Sequence, residues 1–353
     1  MNNSKIRVLV VDDSFFMRKI ISEIISAEPD LEVIDKAKDG REALEKILTL
    51  KPDVVTMDVN IPGLDGIEVL KEVMLKQPTR VIMLSAYTQP GASATIKALE
   101  LGAVDFIAKP SGEVSLDLHK LKNEIISKVR LASRIELNKF LFTLKSPLFV
   151  EARVKKEPVL IKKIVVIGAS TGGPKAILGI MQNMPADIPA AFLIVQHMPE
   201  GFTFSFAERI AWQSGIKAKE AEDGDAILAG KVFVAPAGYH LVLEKQNNKY
   251  IIKLNQDAPV NFVRPSIDVT LNSAADLFGK DVIAVILSGM GRDGLEGARK
   301  VREKGGLVIV QDEATSVIWG MPKAVCEAGL ADRVLSVFKI PEIIIEEIKK
   351  EAR

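Results

Sequence analysis

Along the first third of the chain, short and nearly continuous apolar runs alternate with amphipathic stretches of helical period. The runs at 7–11, 32–37, 54–57, 80–84 and 105–108 predict strands buried on both faces, as in a parallel sheet covered by helices. Ser14 is placed to cap the first helix and Gly40 to open the second. Pro52, Pro62 and Pro78 punctuate later connections, and the last helix of this series is expected from about Leu118. Between 131 and 160 the period loosens around Lys145-Ser146-Pro147 and Lys155-Lys156-Glu157-Pro158, which predicts a linker, with some helix left open within 135–144. A second series then begins. It has strands at 164–167, 191–196, 282–287 and 307–311 and helices such as 174–183 and 266–278. Between them, 231–236, 241–244 and 250–254, with Asn247-Asn248 at a turn, predict an antiparallel insertion. The expected architecture is α/β: two doubly wound parallel-sheet domains, residues 1–130 and 161–353, joined by a 131–160 linker.

Composition narrows the function classes. The 353 residues are 48% hydrophobic and 26% charged, ordinary for a globular chain long enough to build two cores. Net charge is +1, from 47 basic and 46 acidic side chains, with no run of like charge, so no nucleic-acid footprint is expected. A lone cysteine, Cys326, leaves no disulfide framework or cysteine-rich zinc site, and a reducing cytoplasm is the expected location. No signal-peptide h-region precedes the first strand and no apolar run reaches the roughly 20 residues that span a bilayer, so no membrane insertion is expected.

In open α/β sheets, functional groups gather beyond the carboxyl ends of the strands. In the first domain these positions hold Asp12 and Asp13, Asp58, Ser85 and Lys109-Pro110. A lone aspartate after a strand is most often a cap, but five such groups at one edge point to a site. Three carboxylates together call for a hard cation such as Mg²⁺, with Lys109 and the Ser85 hydroxyl left to hold phosphoryl oxygens and Asp58 the best-placed acceptor.

These residues, in Val10-Val11-Asp12-Asp13-Ser14, in the stretch from Met57-Asp58-Val59-Asn60 to Gly66, and in Ala108-Lys109-Pro110, resemble the flavodoxin-like receiver domains of two-component response regulators over residues 5–130. The resemblance implies phosphorylation of Asp58 by a histidine kinase and Mg²⁺ held around Asp12, Asp13, Asp58 and Asn60. It also implies a Ser85 switch, a phosphate contact from Lys109 and a cis peptide before Pro110. Phe106 stands where many receivers carry a tyrosine switch, so no hydroxyl is available there.

In the second domain, the strand at 164–167 runs into Gly168-Ala169-Ser170-Thr171-Gly172-Gly173-Pro174. This spacing suits a G-x-S-x-G nucleophile elbow, and equally a glycine-rich phosphate cradle at a helix N-terminus. It is not G-x-G-x-x-G, and the next strand ends in Gln196-His197 rather than an acid, which disfavours a dinucleotide. Of the three histidines, His119 lies in the last helix of the first domain and His240 in the insertion. Only His197 shares a strand-end edge with Ser170 and can serve as its base. Asp293, in Ser288-Gly289-Met290-Gly291-Arg292-Asp293-Gly294, is the carboxylate on that edge, either as the orienting acid or as the cap of a helix beginning near Gly294. Backbone amides of the same glycine-rich stretch are candidates for an oxyanion site. The order Ser, His, Asp differs from that of the α/β-hydrolases.

The elbow, together with Val195-Gln196-His197-Met198-Pro199, Arg264-Pro265-Ser266-Ile267-Asp268-Val269, Leu287-Ser288-Gly289-Met290-Gly291 and Gly320-Met321-Pro322-Lys323-Ala324-Val325, resembles the chemotaxis protein-glutamate methylesterase family. With the receiver, the resemblance covers nearly the whole chain. It implies Ser170 as nucleophile, His197 as base, Asp293 as orienting acid, and Thr171 and Met290 at the oxyanion. The implied substrates are glutamyl γ-methyl esters of methyl-accepting chemotaxis receptors, with methanol released, no cofactor for hydrolysis, and deamidation of receptor glutamines left open. Fusion to a receiver implies inhibition until Asp58 is phosphorylated. A DNA-binding regulator lacks a recognition helix here, and a silent anion-binding module remains the rival that labelling of Ser170 by a fluorophosphonate would separate.

Overall fold

The computed structural model describes residues 5–86, 88–109, 114–137 and 161–350. Most of the expected linker, the peptide before Pro110 and the side chain of His119 lie outside the described residues. The chain forms two compact units, Met1–Lys145 and Ser146–Arg353.

In the first unit, β1 (Ile6–Val11), β2 (Leu31–Ala37), β3 (Val54–Asp58), β4 (Arg80–Ala86) and β5 (Asp105–Lys109) alternate with α1 (Phe15–Ser26), α2 (Gly40–Leu50), α3 (Gly66–Lys76), α4 (Gln89–Leu101) and α5 (Val114–Ser133). The sheet order is β2-β1-β3-β4-β5, all parallel. Val8 to Val11 and Val54, Val55 and Met57 are fully buried, because helices cover both faces of the sheet. Ser14 accepts from the Met17 N–H at the start of α1, and Asp39, immediately before Gly40, caps α2. The fifth helix begins at Val114, one turn earlier than its apolar pattern indicates.

The second unit has β6 (Lys163–Ala169), α6 (Gly173–Gln182), β7 (Ala190–Gln196), α7 (Phe202–Ser214), β8 (Lys217–Glu220), β9 (Lys231–Val234), β10 (His240–Gln246) and β11 (Lys249–Asn255). These are followed by α8 (Ile267–Phe278), β12 (Val282–Ile286), α9 (Leu295–Glu303), β13 (Leu307–Gln311), α10 (Met321–Glu327), β14 (Arg333–Leu335) and α11 (Ile340–Lys350). Seven parallel strands lie in the order β14-β13-β12-β6-β7-β9-β8.

Contrary to expectation, the segment at 231–236 is not part of the antiparallel insertion: β9 pairs in parallel with β7 and β8 in the main sheet. Only β10 and β11 form the antiparallel hairpin, with Asn247 and Asn248 in the left-handed conformation at its turn. The apolar Val232 and Phe233 fit either sheet, and only the partner strand decides between them. The edge strands β8 and β14 also lacked a sequence signal. Lys217-Ala218-Lys219-Glu220 is polar and Arg333-Val334-Leu335 is too short for a pattern, as edge strands half open to solvent can be.

The direction of winding reverses in each sheet beside a central strand, between β1 and β3 in the first and between β6 and β12 in the second. Loops from the two sides part there and leave a crevice at the carboxyl end.

Candidate active site

At the first crevice, carboxylate oxygens of Asp12, Asp13 and Asp58 lie within 4.8 Å of one another. Asp12 and Asp58 are buried and Asp13 is exposed. Lys109 at the end of β5 places its Nζ 2.7 Å from both Asp12 Oδ2 and Asp58 Oδ2. Burial pushes the Asp58 carboxyl above its ordinary range, more than the neighbouring Lys109 draws it down. Burial opposes the charge on Lys109, but the two carboxylates outweigh it and keep its pKa raised. A hard, all-oxygen donor set open to solvent on the Asp13 side fits Mg²⁺, with Asp12, Asp13 and Asp58 as the residues that would hold it. Asn60 is exposed, and its N–H donates to Asp58 Oδ1 at 3.2 Å, fixing the loop that leaves β3. The Ser85 hydroxyl donates to Gly91 O at 3.1 Å, which ties β4 to α4 rather than to the carboxylates. Phe106 is buried, with Lys128 Nζ 5.3 Å from its ring centre.

At the second crevice, Ser170 follows β6, His197 follows β7, and Asp293 lies beyond β12, on the far side of the reversal. Pairing of neighbouring strands sets their height: the Ser170 N–H donates to Ser288 O at 3.0 Å and the His197 N–H to Ala169 O at 3.0 Å. Gly172, at φ 80°, supplies the left-handed residue that turns the chain into α6. Gly289 packs directly on the Ser170 turn, where a Cβ would meet the Ser170 Cβ at 2.7 Å and its backbone N at 3.1 Å.

His197 Nε2 lies 2.9 Å from Asp293 Oδ2. Donation from Nε2 fixes the tautomer and leaves Nδ1 as the basic nitrogen. The Ser170 hydroxyl makes no hydrogen bond to His197 among the described residues, and such contacts commonly tighten only when substrate is bound.

Asp293 is 3% exposed. Its Oδ1 accepts from Ser266 Oγ at 2.7 Å, Asn261 Nδ2 at 3.0 Å and the Asp268 N–H at 3.3 Å, and its Oδ2 from the Ile267 N–H at 2.7 Å. Burial pushes this carboxyl up, but His197 and these donors outweigh it and hold the pKa down at about 2. The capping alternative therefore takes a different form from the one expected. Asp293 receives the first N–H groups of α8, whose own N-cap Ser266 makes no side-chain cap bond, while α9 starts at Leu295 after the N-cap Gly294, without a side-chain cap. One carboxylate serves as both helix cap and histidine partner.

Three supporting residues escaped the sequence reading. Gln196 Nε2 donates to Ser170 O and His197 O, both at 3.0 Å, and so clamps the Ser170 and His197 turns together. Ser266 and Asn261 donate to Asp293 from a segment 27 and 32 residues upstream. Gln196 and Ser266 stood inside motifs already singled out, whereas Asn261 carried no signal. His240 is buried. Its Nδ1 accepts from the Ser266 N–H and its Nε2 donates to Ala258 O, both at 3.2 Å, so it shapes the Ser266 loop. Met290, beside Gly289, is 61% exposed. Thr171 O accepts from Ser288 Oγ at 2.8 Å, which joins the two loops expected to face an oxyanion.

Fold and site together define a receiver domain followed by a second parallel-sheet domain that carries Ser170, His197 and Asp293 at its topological switch point. Residues 8–119 match the response regulator receiver domain and residues 165–344 match the CheB methylesterase family. The chain is 49% identical over 346 residues to the protein-glutamate methylesterase/protein-glutamine glutaminase of Thermotoga maritima, covering 98% of this chain and 99% of that one. It is 46% identical to the protein of the same description from Pyrococcus horikoshii, covering 98% and 94%. The crystal structure of the Thermotoga maritima CheB methylesterase catalytic domain superposes with a TM-score of 0.52 at 49% identity, covering 53% of this chain and all of that chain. The chain belongs to the CheB methylesterase family. Among the described residues, no helix is long and apolar enough to cross a membrane.

Proposed function

We propose that this chain is a phosphorylation-controlled protein-glutamate methylesterase acting on methylated chemoreceptors. The observation that carries the reading is the His197–Asp293 pair, 2.9 Å apart, on the same crevice as the Ser170 turn. Ser170 Oγ attacks the γ-carbonyl of a methylated glutamate while His197 Nδ1 takes the hydroxyl proton. Asp293, already anionic at neutral pH, stabilises the imidazolium that forms. The N–H groups of Thr171 and Met290 are assigned to the tetrahedral oxyanion. The protonated His197 then passes its proton to the leaving methoxide, and methanol departs. A water deprotonated by His197 cleaves the acyl-enzyme, returning free Ser170 and a glutamate. A glutamine amide passes through an analogous tetrahedral intermediate whose nitrogen takes the His197 proton and leaves as ammonia, so the geometry supports deamidation by the same residues.

In the receiver, Asp58 is assigned as the acceptor of a phosphoryl group from a histidine kinase, with Lys109 poised to contact the phosphoryl oxygens. Mg²⁺ bound by Asp12, Asp13 and Asp58 would neutralise charge at that transfer. The unphosphorylated receiver restrains the esterase, and phosphorylation of Asp58 relieves the restraint.

The test is methanol release from methylated receptor with and without a small phosphodonor. Ser170→Ala is expected to abolish release, and Asp58→Asn to keep basal release without stimulation. Full activity in Ser170→Ala would refute the mechanism.

A further inference from the structure

Asn261 and Phe262 are the central residues of a two-residue turn whose flanking Val260 and Val263 exchange backbone hydrogen bonds of 3.2 and 3.0 Å. Both adopt the left-handed conformation, Asn261 at φ 53° and Phe262 at φ 64°. Asparagine tolerates that region and phenylalanine does not, so the turn is held by its surroundings rather than by local preference. Its anchor is the Asn261 side chain. Nδ2 lies 2.8 Å from Asp268 Oδ2 and 3.0 Å from Asp293 Oδ1.

A side-chain amide nitrogen carries two hydrogens, and here each has its own buried carboxylate. Asp268 Oδ1 is in turn fixed by the Gly297 N–H at 2.7 Å, which ties the arrangement to the first turn of α9. Asp268 and Asp293 are 4% and 3% exposed, so two buried acidic groups share one neutral amide. Asp293 therefore meets His197 on one oxygen, while the other is held from the far side through Asn261.

Resting on the Ser170, His197 and Asp293 reading above, we infer that Asn261 is a positioning residue of the esterase: its amide, aligned by Asp268, locks the Asp293 carboxylate behind His197. It touches neither substrate nor the reacting atoms. The competing explanation is that asparagine is present only because the turn requires a left-handed residue. Glycine separates the two, since it satisfies φ 53° without strain and removes the amide.

The experiment compares full-length wild type, Asn261→Gly, Asn261→Asp and Asp293→Ala in methanol release from methylated receptor, with thermal unfolding of each. Asn261→Gly is expected to lower kcat by about 10- to 100-fold through misplacement of the base. Its KM should stay within about twofold of wild type, because substrate binding is untouched. Asn261→Asp keeps the turn and the size but replaces a donor by an acceptor, and is expected to lose more kcat than Asn261→Gly. The positioning role is overturned if Asn261→Gly keeps the wild-type kcat, or if KM rises while kcat stands. Asp293→Ala tells the two possible failures apart. If it retains kcat, the triad itself fails; if it loses kcat while Asn261→Gly does not, only the positioning role fails.

Discussion

At the scale of single residues, Asp293 shows how a buried charge is maintained. Five groups donate to its two oxygens, with one of them the partner imidazole. Its neighbour Asp268 has fewer donors; burial, and then the Asp293 charge, push its pKa up to about 6 from an ordinary 3.8. The two carboxylates have opposite consequences for stability. Asp293 binds its proton more weakly folded than unfolded, so it adds stability as pH rises from about 2 to about 4. Asp268 binds its proton more tightly when folded, so it removes stability as pH rises from about 4 to about 6. Urea midpoints measured at about pH 4.5 and about pH 7 should show a fall in the wild type attributable to Asp268, and Asp268→Asn should flatten it. Gly289 gives a second expectation at this scale. An added Cβ would press on Ser170 itself, so Gly289→Ala should reduce kcat by about 100-fold while leaving unfolding cooperative, as steady-state kinetics and a thermal melt would show.

At the scale of elements, the candidate site depends on a helix whose N-cap Ser266 turns its hydroxyl to Asp293 instead of capping. The first N–H groups of α8 are satisfied by Asp293 from the other side of β12. Removing that carboxylate should therefore damage structure as well as chemistry. Asp293→Ala is expected to cost about 1–2 kcal/mol in chemical denaturation, the scale of a lost helix cap, whereas Ser170→Ala should leave stability unchanged. The strands illustrate the opposite case. Central ones such as β3, β6 and β12 are buried along their whole length and were legible as apolar runs within a residue or two. The polar edge strand β8 and the three-residue β14 were not, because an edge strand needs neither an apolar face nor length.

At the scale of the whole molecule, a candidate phosphoacceptor site and a candidate ester-cleaving site occur in one chain, each built at the reversal of its own sheet. The oxygen cluster of Asp12, Asp13 and Asp58 fits a divalent ion, and the serine site requires none for the steps assigned to it. A chelator should accordingly abolish stimulation of methanol release by a small phosphodonor while leaving the basal rate intact. Removing residues 1–155 should raise the basal rate and make it insensitive to the phosphodonor. Lower activity in that truncation would argue against restraint by the receiver.

The apolar runs, the breakers between them and the polar residue after each run determined two α/β domains and placed Ser170, His197, Asp293, Asp58 and Lys109 on crevice edges. That much is local, because burial on both faces of a central strand writes itself into consecutive residues. Tertiary structure alone decided that β9 joins the parallel sheet, that Asp293 caps α8 rather than α9, and that Gln196, Ser266 and Asn261 hold the candidate triad in place. Those choices rest on hydrogen bonds between loops far apart in sequence. Such bonds have no period, and the residues that make them have the same composition as any other loop.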